Sequence, residues 1–398
     1  MFNDTLKPHF LLHSTMRAST FLFLSSHLLL CDALYAPLRE YAGQTFFSGW
    51  TFPGYYDNTT SGSVIFVDHV TAIEDNLVYI NDAGNAILRV DNSTDITVTG
   101  TDRNSVKLIS QDLYPLGSLI IIDIIHMPYG CSVWPAFWTL GGTDSEWPMY
   151  GEIDIIEGVN LDTSNQMAIH HSDPSCVQSA NPGQSGETLS SDCSNGAGSV
   201  GCRVAETKSN SFGESFAQNG GGAFALQFDV SGAYIWFWPI YPRPSPPPHR
   251  RHTWIPPIGE HHQHHFRLVD ADLEKLFKPQ KLILDITLCG NWAGSSSIFN
   301  TQCSGSCIQD YVLGPGSPKY DNAWFEISYL RTYTAIAGNA TSSGSGAAQT
   351  ATGTTAHVAT GGAAASTTSS TSSAGRSYTA ISWTSAGCLL LGLVSLRL

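Results

Sequence analysis

Gly151-Glu152-Ile153-Asp154-Ile155-Ile156-Glu157-Gly158 is the stretch on which the reading of the fold turns. Acids interleaved with isoleucines have the two-residue period of a β-strand, which puts Glu152 and Asp154 on one face and Ile153 and Ile155 on the other. Continued without interruption, that period would turn Glu157 to the isoleucine face. One bulge at Ile155-Ile156, an extra residue on this strand alone, returns Glu157 to the side of Glu152. Acids on a strand are ordinarily solvated. Here the isoleucines and a tryptophan-rich segment just upstream argue for a strand deep in a sheet, with three carboxylates along one groove.

Working outward, the chain between about Tyr41 and Tyr333 is a succession of short apolar runs separated by Gly, Asn, Asp and Pro. Examples are Ser63–Val67, Ala86–Val90, Ser118–Ile122 and Tyr234–Phe237. Runs of this length, rich in β-branched and aromatic residues, predict an all-β sandwich. Helical periodicity is nearly absent, with one helical turn expected over Asp272–Phe277. Two stacked sheets of this size offer a concave face suited to an extended polymer.

Carboxylates crowded on such a face repel one another and raise the pKa of at least one of them. A glycosidase needs that separation, with one ionised nucleophile and one protonated acid. Calcium is the rival use of three carboxylates, but the spacing and glycine of a calcium-binding helix–loop–helix are missing, so no metal and no cofactor are expected. Trp134, Trp138 and Trp147 flank the acids, and Trp292 lies far downstream. A tryptophan in a sandwich is more often core than platform, but four in this neighbourhood favour stacking on the flat faces of sugars.

Gly151–Asn160 together with His126-Met127-Pro128-Tyr129-Gly130-Cys131-Ser132-Val133-Trp134-Pro135-Ala136-Phe137-Trp138 resembles the fungal endo-1,3(4)-β-glucanases (laminarinases) of glycoside hydrolase family 16. Arg103-Asn104-Ser105-Val106, Asn219–Gly222 and Leu288-Cys289-Gly290-Asn291-Trp292-Ala293-Gly294 extend the likeness, which covers roughly Thr45 to Tyr333. The resemblance implies a β-jelly-roll sandwich (concanavalin A-like) with a concave cleft, and retaining double displacement on β-glucan. It assigns Glu152 as nucleophile, Glu157 as general acid/base and Asp154 as the acid that tunes the pair. Two carboxyls about 5–5.5 Å apart are what retention requires. Trp134, Trp138, Trp147, His170, Asn291, Trp292 and Arg103 are the expected substrate contacts. Two departures stand out. Met149-Tyr150 follows Trp147-Pro148 where the family usually carries Asn, and Arg243–Arg267, rich in Pro, His and Arg, replaces a stretch of cleft residues and a cysteine. Family-like sequence resumes at Val269, as if an intron or frame in the gene were misread, and the replaced stretch is expected to be irregular.

Composition bounds the rest. Charged residues are 13% of the chain and the net charge is −14, which disfavours nucleic acid or an anionic membrane surface as partner and leaves a neutral polysaccharide unopposed. Phe21–Leu30 followed by Cys31-Asp32-Ala33 reads as an export signal over residues 1–33, with Met16 an alternative start. The catalytic domain is expected over 41–334. A Ser/Thr/Gly/Ala-rich stalk over 335–384 and an apolar tail over 385–398 have the layout of a GPI-anchor signal. A secreted or cell-surface monomer, tied to the membrane only through a lipid anchor, is the expectation. Sequons at Asn58, Asn92 and Asn339 fit that compartment. Seven cysteines fall in the domain, so one of them is left without a partner. Two other functions share the pattern: a wall-glucan transglycosylase, differing only in acceptor, and a non-catalytic carbohydrate-binding sandwich, which has no need of all three acids.

Overall fold

The structure is a computed structural model describing residues 35–180, 183–195, 200–239, 266–268 and 272–336. Residues 1–34, the stalk from 337 onward, the apolar tail, Asn339 and most of the Pro/His/Arg-rich stretch lie outside the described residues, while Ala335, expected in the stalk, still belongs to a strand.

Two eight-stranded sheets carry the fold. The first runs, in spatial order, Phe266–Leu268, Gly232–Pro239, Gly222–Asp229, Ser118–His126, Trp324–Ala335, Ala86–Arg89 and Val78–Ile80, with Tyr35–Ala42 also paired to Trp324–Ala335. The second runs Glu187–Ser190, Cys202–Ala205, Gln166–His170, Glu152–Glu157, Val133–Gly141, Gln280–Leu288, Lys107–Ser110 and Trp50–Thr51. Every pairing within these two sheets is antiparallel.

The alternation that marks the strands also sorts their side chains. On Ser118–His126, Ile120, Ile122 and Ile124 enter the main core, while Leu119 and Ile121 join a second buried cluster with Tyr234, Trp236, Tyr329 and Tyr333. From the second sheet, Val133, Phe137, Ile153, Ile155, Met167, Ile169, Leu282, Leu284 and Ile286 meet the main core. Each such side chain contributes about 1.5–3 kcal/mol when fully removed from water. With one face of the second sheet committed to the core, the residues between these point into the cleft. Helix is confined to short pieces, and the helical turn expected near Asp272 is Leu273–Leu276, capped by the Asp272 side chain.

Two details differ from expectation, and the cysteines follow it. The first strand starts at Tyr35, before the predicted boundary at Tyr41, because Tyr35–Ala42 completes an edge against Trp324–Ala335. Phe266 and Arg267, at the end of the stretch expected to be irregular, belong to a strand on Ala233–Ile235, so the ordered pattern returns before Val269. Phe266 is fully buried in the core, which explains why the strand holds there. Disulfides join Cys131–Cys303, Cys193–Cys202 and Cys289–Cys307, and Cys176 is buried and free, the unpartnered domain cysteine.

Candidate active site

The acid strand Glu152–Glu157 lies between Val133–Gly141 and Gln166–His170. Its register against the tryptophan-bearing strand runs Leu140 to Glu152, Thr139 to Ile153 and Trp138 to Asp154, then skips Ile155 and continues Phe137 to Ile156 and Ala136 to Glu157. Ile155 is the extra residue. The bulge sends both Ile155 and Ile156 into the core and returns Glu157 to the cleft beside Glu152 and Asp154. Gly151, at φ +83°, immediately precedes the strand, and a Cβ there would strike the Phe277 ring, so both backbone and packing require glycine.

The cleft holds about 730 Å³ and crosses the sheet from Arg203 and Asn195 at one end, over the acids, to Asp285, Thr287 and the loop Asn58–Thr60 at the other. Indole N–H groups serve its carboxylates one by one. Trp147 donates to Glu152 at 2.8 Å, Trp134 to Glu157 at 2.9 Å and Trp138 to Asp285 at 2.6 Å. His170 Nε2 stands 3.8 Å from Glu152 and 3.4 Å from Asp154. Trp292 meets the Trp134 ring edge-on at 5.3 Å, and Asn291 fixes the neighbouring wall by donating its backbone N–H to Thr60.

Burial dominates the electrostatics. Removal from water, reinforced by the Asp154 charge, pushes Glu157 up to about 8, despite the Trp134 hydrogen bond and His170. Asp154 is also pushed to about 8, by burial and then by Asp285, and its Oδ2 is buried without a hydrogen-bond partner. Glu152 is raised by burial and by Asp154, while His170 and the Trp147 hydrogen bond oppose the rise. These three groups share protons as a set. Burial and mutual repulsion raise all three, and a proton on any one of them relieves the repulsion on the others. Asp285 is pushed only to about 6 by burial, because Lys107 and the Trp138 hydrogen bond favour its charge. Ligand atoms of Glu152, Asp154 and His170 lie within 4.8 Å of one another and could also chelate a cation.

The structure brings together Glu152, Asp154, Glu157, Trp134, Trp138, Trp147, His170, Asn291 and Trp292. Arg103 is a correction. It is fully buried away from the cleft, and its guanidinium donates to the carbonyls of Asp91, Thr94, Val312 and Gly314 while lying over Tyr320. It is a structural clamp. Tyr150, at the site of the Asn departure, packs its ring under the Lys278 ammonium. Asp285 was missed, although a lone acid inside the apolar run Leu282-Ile283-Leu284-Asp285-Ile286 is a signal that sequence could have yielded. Thr287, Gln166 and Arg203 were also missed, and nothing in their local sequence marks them.

Comparison with known proteins identifies the family. The family profile described as "XgeA-like, catalytic GH16 domain" matches residues 50–333. An endo-1,3(4)-β-glucanase of Emericella nidulans is 34% identical over 290 residues, 70% of this chain and 44% of that protein. Laminarinase 16A of Phanerochaete chrysosporium, solved with β-glucans in donor and acceptor sites, superposes with a TM-score of 0.67 at 34% identity, over 76% of this chain and 100% of that one. A solved elongating glycoside hydrolase family 16 β-1,3-glucosyltransferase superposes with a TM-score of 0.67 at 36% identity, over 75% of this chain and 100% of that one. This chain spans less than half the length of several of the endo-1,3(4)-β-glucanases it matches, 44–45% of each.

Proposed function

Since this chain belongs to glycoside hydrolase family 16, we propose that it hydrolyses β-1,3- or mixed β-1,3-1,4-glucan internally, with retention at the anomeric carbon. One observation carries the reading: the Ile155 bulge sets Glu152 and Glu157 on one wall of an indole-lined cleft. Glu152 attacks the anomeric carbon while Glu157, which burial keeps protonated near neutrality, gives its proton to the departing glycosidic oxygen. Glu157, now ionised, takes a proton from water, whose oxygen attacks the anomeric carbon and releases Glu152. Asp154 tunes Glu152 from the same face, and the indoles of Trp134, Trp138 and Trp292 supply flat surfaces for the sugars.

The chain acts, in this proposal, as an exported monomer held at the cell surface by a lipid anchor. Three disulfides and the apolar segments at both ends support an oxidising, membrane-bounded route. Phospholipase C should release the mature protein from membranes, and recovery of an intact Leu398 would refute the anchor. The catalytic test is Glu157→Ala. Its turnover of laminarin should fall by about 10²-fold or more, and azide with an activated aryl β-glucoside should restore part of it as the β-glucosyl azide. An α-azide product would overturn retention with Glu152 as nucleophile.

A second reading has a specific support, the glucosyltransferase neighbour at 36% identity. A sugar hydroxyl replacing water would return longer chains than the substrate. Mass spectrometry of the products from laminari-oligosaccharides separates the two, since hydrolysis yields only shorter ones.

A further inference from the structure

Two of the sequons lie on the same local device. Asp57-Asn58-Thr59-Thr60 and Asp91-Asn92-Ser93-Thr94 each begin with a buried aspartate that accepts the backbone N–H groups two and three residues on. The asparagines meet different surroundings. Asn92 is half-buried, and its amide donates to Asp321 at 2.7 Å. Asn58 is exposed and lines the end of the cleft beyond Asp285 and Thr287.

The loop that presents Asn58 is held rigidly. The Asp57 carboxylate accepts from Thr59, Thr60 and Gly62, and from Thr287 Oγ1 at 2.7 Å on the cleft floor. A Cβ at Gly62 would overlap the Thr287 hydroxyl and Asp57, so the loop sits directly on the floor strand. Gly62 bridges to Cys289, and the Thr60 carbonyl accepts from Asn291 N–H, which ties the loop to the Trp292 wall.

We propose that Asn58 is an N-glycosylation site whose glycan crowds this end of the cleft and weakens the binding of long glucan chains. The inference rests on the glucanase reading of the cleft and on passage of the chain through an export route. In the attachment step, Asn58 Nδ2 forms a bond to the anomeric carbon of an N-acetylglucosamine-based oligosaccharide as that carbon's bond to a lipid diphosphate breaks. The lipid diphosphate departs with the bonding electrons, and Nδ2 loses one proton. A branched core glycan is built of units the size of the substrate's own. Held by the loop, it narrows the path a polymer would take beyond Thr287, while a short oligosaccharide lying over the acids is untouched.

The test uses the full chain secreted from a eukaryotic host. Peptide mass spectrometry, with enzymatic release of N-glycans in ¹⁸O-water, reads occupancy at Asn58. Binding of long laminarin and of laminaritriose to the Glu152→Gln protein is then measured before and after the glycans are trimmed to single sugars. Asn58 should be occupied, and trimming should tighten laminarin binding by about threefold or more with the trisaccharide unchanged. In an added Asn58→Gln background the trimming effect should vanish, which assigns it to this glycan and not to one elsewhere. An unmodified Asn58 in the exported protein, or equal effects on long and short ligands, overturns the proposal. Occupancy of Asn58 in a protein that binds neither ligand would instead overturn the glucanase reading and, with it, the role given to the glycan.

Discussion

The loop Asp57–Gly62 and the acid strand Glu152–Glu157 both bury carboxylates at one cleft, and they treat them in opposite ways. Asp57 and Asp154 are nearly equally enclosed, at 4% and 3% exposure. Burial would raise both. At Asp57, hydrogen bonds from Thr60, Thr287 and Thr59 outweigh it and hold the carboxyl below its usual range. Asp154, with its Oδ2 unpartnered and Asp285 nearby, is pushed to about 8. Burial alone therefore does not set a buried acid's charge; the supply of donors does. The loop surrounds Asp57 with several donors that hold a shape, whereas each strand glutamate has one indole donor, which does not offset its burial.

The largest expected effect is on the strand. Glu152→Gln is nearly isosteric and should lower kcat on laminarin by about 10³-fold or more while the fold persists. Activity within about tenfold of the parent would remove Glu152 as nucleophile and erase the functional side of the contrast.

The loop should respond in stability instead. Asp57→Ala strands several donors and should cost about 2 kcal/mol in urea unfolding. Because the folded pKa of Asp57 is depressed, its contribution is present above the unfolded value of 3.8 and is lost as pH falls through the lower folded value. The gap between parent and variant should shrink on acidification, and a gap independent of pH would mean that the carboxylate charge is not what holds the loop.

Asp154→Asn sharpens the strand side. Its charge helps raise Glu157, so the alkaline limb of kcat/KM, expected near the Glu157 value of about 8, should move to lower pH in the variant, with kcat down by about tenfold. An unmoved limb would show that Asp154 does not act on Glu157.

The strand's raised carboxyls should also show in the parent's own stability profile. Asp154 and Glu157 have folded pKa values raised from 3.8 and 4.5 to about 8, so the folded state binds more protons than the unfolded chain across that window. Thermal stability should fall as pH rises from about 5 to 8, and Glu152→Gln, which removes one of the mutually repelling carboxyls, should flatten the decline. A midpoint that climbs over this range would contradict the raised values.

Much of this was legible in the chain because it is written at short range. Alternation in Ser118–Ile122 and in Glu152–Glu157 names strands and their faces, and the misfit of Glu157 with the period of two requires the bulge found at Ile155. The motif also names the chemistry, since three acids against isoleucines have few other uses. Arg103 shows the limit: its block matches the family, but whether a matched arginine touches sugar or backbone depends on Val312 and Gly314, more than two hundred residues away.

By itself the sequence determined the strands, the sandwich, the acid trio and the odd cysteine, because periodicity and spacing act between near neighbours. Only the tertiary structure decided which indole serves which carboxylate, that Asp285 joins the cleft, that Cys176 is the cysteine left over, and that Asn58 stands at the cleft's end. Most of these depend on segments distant in sequence becoming neighbours in the fold, with Trp138 meeting Asp285 and Asp57 meeting Thr287. Such meetings are set by register and packing across the whole sandwich, and no local pattern encodes them.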